Sequence, residues 1–138
     1  MNGCLYPTFR YDDAPAAIAW LKEAFGLREL QVIANEDGTI AHAELALGKS
    51  VLMLGSDRDD PLLGRRAGKG WIYAAVEEPD AHFEQARAAG AEIVAEPYET
   101  DYGSRDYTAR DLEGNVWHFG SYRPEVGTAP QSASSAQA

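Results

Sequence analysis

Cysteine is nearly absent from this chain of 138 residues, with Cys4 standing alone. One thiol can form neither an internal disulfide nor a thiolate cluster for zinc, so neither staple holds this fold. Basic residues are also scarce, 12 against 22 acidic, which gives a formal net charge of −10. A surface of that sign repels phosphate backbones and anionic headgroups, and argues against nucleic acid and membranes as partners. It would instead concentrate a cationic ligand, and it favours solubility. No apolar run approaches bilayer length and no basic-then-apolar leader opens the chain, so a cytoplasmic location is the expectation. At this length the chain makes one domain that buries about two-thirds of its unfolded surface.

What the sequence does contain is an internal repeat. A step of 65 residues carries Tyr6 to Trp71, Val51 to Val116, Met53 to His118, Leu54 to Phe119 and Gly55-Ser56 to Gly120-Ser121. Repetition at this scale marks a supersecondary unit that pairs with its own copy to bury its apolar face. Residues 4–11 read as a strand. Asp12-Asp13-Ala14-Pro15 then supplies a carboxylate cap and an early proline, and Ile18, Leu21 and Phe25 keep helical spacing up to Gly26. Strands follow at 27–34, 40–47 and 51–54, separated by Asn35-Glu36-Asp37-Gly38 and Gly48-Lys49. The first module, about 4–55, is therefore βαβββ.

The second module, about 70–122, repeats the order. A strand from Gly70 to Val76 leads through Glu77-Glu78-Pro79-Asp80 to a helix ending at Gly90. A strand begins at Ile93-Val94, a turn-rich loop covers 96–103, and strands near 104–110 and 116–122 flank the turn Asp111 to Asn115. The fold class is α+β, with tandem βαβββ modules forming a cupped, half-barrel mixed sheet over residues 4–123. Residues 56–69 are a mixed-charge linker, and the small polar residues 124–138 read as a disordered tail.

Strand alternation selects the residues of the concave face. Leu45, Leu47, Leu52, Leu54, Trp117 and Phe119 form the face that meets the helices, as apolar strand residues must. Val51, Met53, Gly55, Val116, His118 and Gly120 then lie on the concave side, with His42 and Glu44 from the third strand. Tyr6, Thr8, Arg10, Trp71, Tyr73 and Ala75 come from the module-opening strands. Trp71 and Tyr73 form a stacking wall for a planar or cationic ligand. Arg105 and Arg110 are the candidates to hold an anionic group. Arg110 faces the cleft or pairs with an acid such as Asp111 or Glu113. Trp20 and Trp117 are assigned to packing and His82 to the surface, and neither Ser104 nor Ser121 has a recognisable His/Asp framework.

The tandem modules, the helix opening AIAWLKEAFG and the closing TARDLEGNVWHFGSY resemble the vicinal oxygen chelate superfamily. The stretch DYGSRDYTARDLEGNVWHFG resembles its glyoxalase/bleomycin-resistance branch. Metal-using members place ligands in the first and last strand of each module, and the matching positions here are Tyr6, Met53, Trp71 and His118. Of these only His118 is a good ligand for a divalent ion, so no metal or other cofactor is predicted. The resemblance therefore implies a binding protein that sequesters its ligand without turnover, as antibiotic-resistance members of this branch do. Its cleft is lined by Tyr6, Met53, Trp71, Tyr73 and His118, with Arg110, His42 and Glu44 at its polar points. The resemblance also implies a homodimer with clefts built from complementary modules. The competing reading is a lyase, isomerase or dioxygenase of the same superfamily. It would use a divalent metal on His42, Glu44 and His118, or His118 itself as acid and base.

Overall fold

The computed structural model describes residues 3–127. Expectations for the tail from 128 onward fall outside the described residues, and 124–127 carry no regular secondary structure. The first module runs β1 (Thr8–Tyr11), α1 (Ala14–Ala24), β2 (Arg28–Ala34), β3 (Ile40–Leu47) and β4 (Ser50–Ser56). The second runs β5 (Trp71–Ala75), α2 (Pro79–Ala88), β6 (Glu92–Glu99), β7 (Arg105–Arg110) and β8 (Val116–Gly120). Each module makes its own four-stranded mixed sheet, ordered β1-β4-β3-β2 and β5-β8-β7-β6. This is the α+β, tandem βαβββ organisation that the repeat demanded. Among the described residues no helix is long and apolar enough to cross a membrane.

The helices start and stop for local reasons. The Asp13 carboxylate accepts the Ala16 N–H at 3.1 Å, capping α1, and prolines occupy the first turn of both helices. Gly26 and Gly90, at φ 74° and 90°, take the left-handed conformation that turns the chain out of each helix.

The parallel strand pairs reproduce the 65-residue step. Thr8 lies opposite Met53, and Tyr73 opposite His118. Phe9 lies opposite Leu54, and Ala74 opposite Phe119. The middle strands follow a step of 64, because Glu44 pairs with Met53 while Thr108 pairs with His118.

Several boundaries depart from the expectation. The opening strand begins at Thr8, after Pro7, which has no N–H to give a ladder. β6 continues through Pro97 to Glu99, where a loop was expected, because an edge strand tolerates proline beside an irregular register. The last strand stops at Gly120. The linker also has more order than a solvated connector. Asp57 accepts the N–H groups of Arg66 and Ala67, and Asp60 those of Leu62 and Leu63.

One core unites the modules. Phe9, Tyr11, Leu21, Phe25, Leu45 and Leu54 from the first pack with Phe83, Tyr107, Trp117 and Phe119 from the second. Phe9 and Trp117 meet edge to face at 5.7 Å, and Trp117 is fully buried as assigned. Trp20 packs as expected, donating to Ala89 O at 2.9 Å.

His82 corrects its surface assignment. Its Nε2 lies 2.9 Å from Phe25 O and its Nδ1 contacts the Tyr107 hydroxyl, so it bridges the modules. The histidine follows α2 onto the joint between modules, which a single amphipathic helix does not reveal.

Candidate functional site

The face of the second sheet turned away from the core is a grid of three rows. Trp71, Val116, Arg110 and Glu92 form the first row, and Tyr73, His118, Thr108 and Ala95 the second. Ala75, Gly120, Asp106 and Tyr98 form the third. A cavity of about 290 Å³ opens at Trp71, Ile72, Tyr73 and His118, and Trp71 is 80% exposed there. Three of the expected ligand-binding residues are thus neighbours on one surface.

His118 is held from both sides. Its Nε2 lies 2.8 Å from Asp106 Oδ2 and its Nδ1 lies 2.7 Å from Thr108 Oγ1. Asp106 is fully buried and accepts a further bond from the Ser104 hydroxyl. Since the carboxylate only accepts, Nε2 carries a proton. The tether leaves the ring face, tilted 34° to Tyr73 at 5.8 Å, as the surface His118 presents. Tyr73 donates to Tyr122 O at 2.7 Å. Burial, with the Asp106 charge also contributing, holds the Tyr73 phenol above its ordinary pKa.

Ser104 does stand in a His/Asp network, contrary to the sequence reading. The order is Ser104 to Asp106 to His118, with the carboxylate in the middle, so the imidazole does not activate this hydroxyl.

The first module offers a matching face. Thr8, Met53, Glu44 and Gln31 form its middle row, and Met53 is half-buried there. His42 Nε2 and Glu44 Oε2 are 2.9 Å apart, so this pair is bonded to itself. Tyr6, which precedes β1, lies with Tyr73 along a broader groove of about 1010 Å³ between the modules. Tyr6, Met53, His42 and Glu44 are absent from the cavity at His118, which is built by the second module alone.

The metal reading is tested by these donors. Among the described residues no three His, Cys, Asp or Glu side chains are grouped to hold an ion, so His42, Glu44 and His118 do not form a set within one chain. Of the family's four ligand positions, Met53 and Trp71 offer nothing to a hard cation, and His118 has both nitrogens engaged. Within one chain these positions supply only Tyr6 and His118 as donors, too few for the metal that the fold family uses.

Arg110 pairs with Glu92 at 3.2 Å, not with Asp111 or Glu113. Asp111 is instead buried, accepting from Tyr11 Oη at 2.6 Å and Trp117 Nε1 at 3.0 Å. Glu113 accepts the N–H groups of Asp12 and Asp13. Arg105 lies on the helix side of the sheet, bonded to Asp80 and Glu99, and leaves the concave face. Asp106 and Thr108 were missed by the sequence reading. Alternation from Arg110 would have put both on the concave face, and the 64-residue step equates them with His42 and Glu44.

The fold and this paired-face geometry define a class, and comparison with known proteins gives it a name. The family model of the Glyoxalase/Bleomycin resistance protein/Dioxygenase superfamily matches residues 4–119, and the chain belongs to that superfamily. An uncharacterised protein of Mycobacterium tuberculosis H37Rv is 30% identical over 129 residues, covering 88% of this chain and 76% of its own. Among solved structures, TioX from Micromonospora sp. ML1 is 33% identical, with a TM-score of 0.71 over 86% of this chain and 98% of its own. A glyoxalase I mutant from Zea mays shares the fold at 18% identity and a TM-score of 0.69. This chain covers 44% of that one, and the match covers 87% of this chain.

Proposed function

We propose that this chain binds and sequesters a planar aromatic small molecule without turning it over. The observation that carries the reading is the double tether of His118. Its two nitrogens serve Asp106 and Thr108, which makes the imidazole a fixed platform beside Tyr73 and Trp71. An acid or base catalyst needs a ring nitrogen within hydrogen-bond reach of its substrate. Stacking needs only the ring face.

Trp71 at 80% exposure is an unusual cost for a strand residue, and a ligand covering it would recover the burial. In this reading the ligand lies between the second module's Trp71, Tyr73 and His118 and the first module's Tyr6, Met53, His42 and Glu44 from a second copy. Tyr6, Leu30 and Ile33 on the first module and Val94, Tyr98 and Trp71 on the second are exposed, which supports burial against such a copy. The protein is then a cytoplasmic homodimer with no metal in its clefts.

The test is tryptophan fluorescence. A planar aromatic probe should quench Trp71, while the buried Trp117 reports that the fold is intact. Trp71→Ala should weaken binding by about 1–3 kcal/mol. Chelator should leave both binding and melting temperature unchanged. Stoichiometric zinc, manganese or iron(II) in the purified protein, with turnover of a bound compound, would replace sequestration by metal-dependent catalysis.

A further inference from the structure

The first row of the second module's concave face carries an aromatic ring at one end and a guanidinium further along. Trp71, Val116 and Arg110 stand opposite one another on β5, β8 and β7. At ordinary strand spacing the backbones of Trp71 and Arg110 are about 9–10 Å apart. Val116, short and half-buried, forms the floor between them.

Arg110 is weakly held. Among the described residues its one ion pair is a single Nη1 to Glu92 Oε2 contact at 3.2 Å, with side chains 40% and 67% exposed. Exposed pairs of this kind contribute little and exchange readily. Arg105 differs in having two acidic partners, Asp80 and Glu99, on the helix side. Nor does the fold require arginine at this place. The repeat equates Arg110, opposite Val116, with Ala46, opposite Val51, and the first module buries that alanine.

The geometry points to Arg110 as the receptor for an acidic substituent on the ligand, whose ring stacks on Trp71 and Tyr73. This rests on the proposed binding function and deepens it by naming an aromatic acid as the ligand class. A planar guanidinium offers a carboxylate two parallel hydrogen bonds, where Glu92 now takes one. The other carboxylate of this face, Asp106, is buried behind His118 and is not presented to a ligand. The charge of −10 slows the approach of an anion. At physiological salt, however, that field is screened over about 8 Å, whereas the contact at Arg110 is direct.

The experiment compares 2-naphthoate with 2-naphthamide, which share a ring and differ in charge, by quenching of Trp71. Naphthoate should bind about tenfold more tightly, equivalent to about 1.4 kcal/mol. Arg110→Gln should bring naphthoate down to the amide. Glu92→Gln should tighten naphthoate alone by freeing Arg110, and it provides a second readout if the arginine variant folds poorly. Equal binding of the two probes, or a preference that survives Arg110→Gln, overturns the inference and leaves the aromatic cleft standing. Absence of quenching by either probe overturns the cleft as well.

Discussion

Gly120 shows how a residue without a side chain can govern a polar site. A Cβ at this position would come within 2.6 Å of Tyr73 Oη and closer still to Asp106 Oδ1. The buried carboxylate that orients His118 occupies the space that only glycine leaves open. Gly120→Ala must therefore push Asp106 or Tyr73 aside, an overpacking that costs about 1–3 kcal/mol. A thermal melt should fall by several degrees, and binding of an aromatic probe should weaken as the His118 ring loses its tether. A variant with unchanged melting and binding would show that the network adapts without loss. The sequence indicated that Gly120 faces the cleft, but not what stands over it.

At the scale of elements, the turn Asp111–Asn115 does more than reverse the chain between β7 and β8. Glu113 accepts from Asp12 at 2.6 Å and from Asp13 at 2.8 Å, placing a carboxylate on the N–H groups of the two residues that lead into α1, near its positive end. Asn115 Oδ1 accepts Gly70 N–H at 2.7 Å, fixing the entry to β5. One turn of the second module thus holds the entry to a helix of the first, about a hundred residues away in sequence. Glu113→Ala should cost about 0.5–2 kcal/mol in denaturant unfolding, the range for a lost helix cap. High salt should narrow the gap between the two proteins, since part of the gain is a charge against the helix dipole. A loss below the error of the fit would assign Glu113 to the solvent.

For the whole molecule, the joint between modules responds to acid through His82. Burial lowers its pKa from 6.5, while Nε2 donates to Phe25 O and Nδ1 accepts from Tyr107. Burial also raises the Tyr107 pKa, so its hydroxyl keeps its proton. A histidine whose folded pKa lies below its unfolded one takes up its proton more readily when unfolded. Its contribution is therefore complete above about pH 6.5 and declines as pH falls toward the folded value. Stability should drop between pH 7.5 and 5.5, and His82→Gln, which can keep both hydrogen bonds uncharged, should shrink that drop. An identical pH dependence in both proteins would remove His82 from the account. The same joint explains why the concave faces stay open. The core binds the helix-covered sides of both sheets together, and the cavity at His118 receives no side chain from the first module.

The sequence by itself indicated the two modules, the order of elements along the chain and most of the residues on each side of each sheet. Helix caps, glycines and alternation are local, and the 65-residue step carries those of the parallel strand pairs from one half to the other. That step also relates the registers of the two sheets, since Thr8 opposite Met53 maps onto Tyr73 opposite His118, although which residues pair is seen only in the fold. Only the tertiary structure decided which polar partners met. Asp106 reaches His118 and Arg110 reaches Glu92 across neighbouring strands, while His82 reaches Phe25 across the joint between modules. Alternation gives a side chain its face but not its partner or its depth. Hydrogen bonds formed across strands and between modules depend on distances that appear only when the chain is folded.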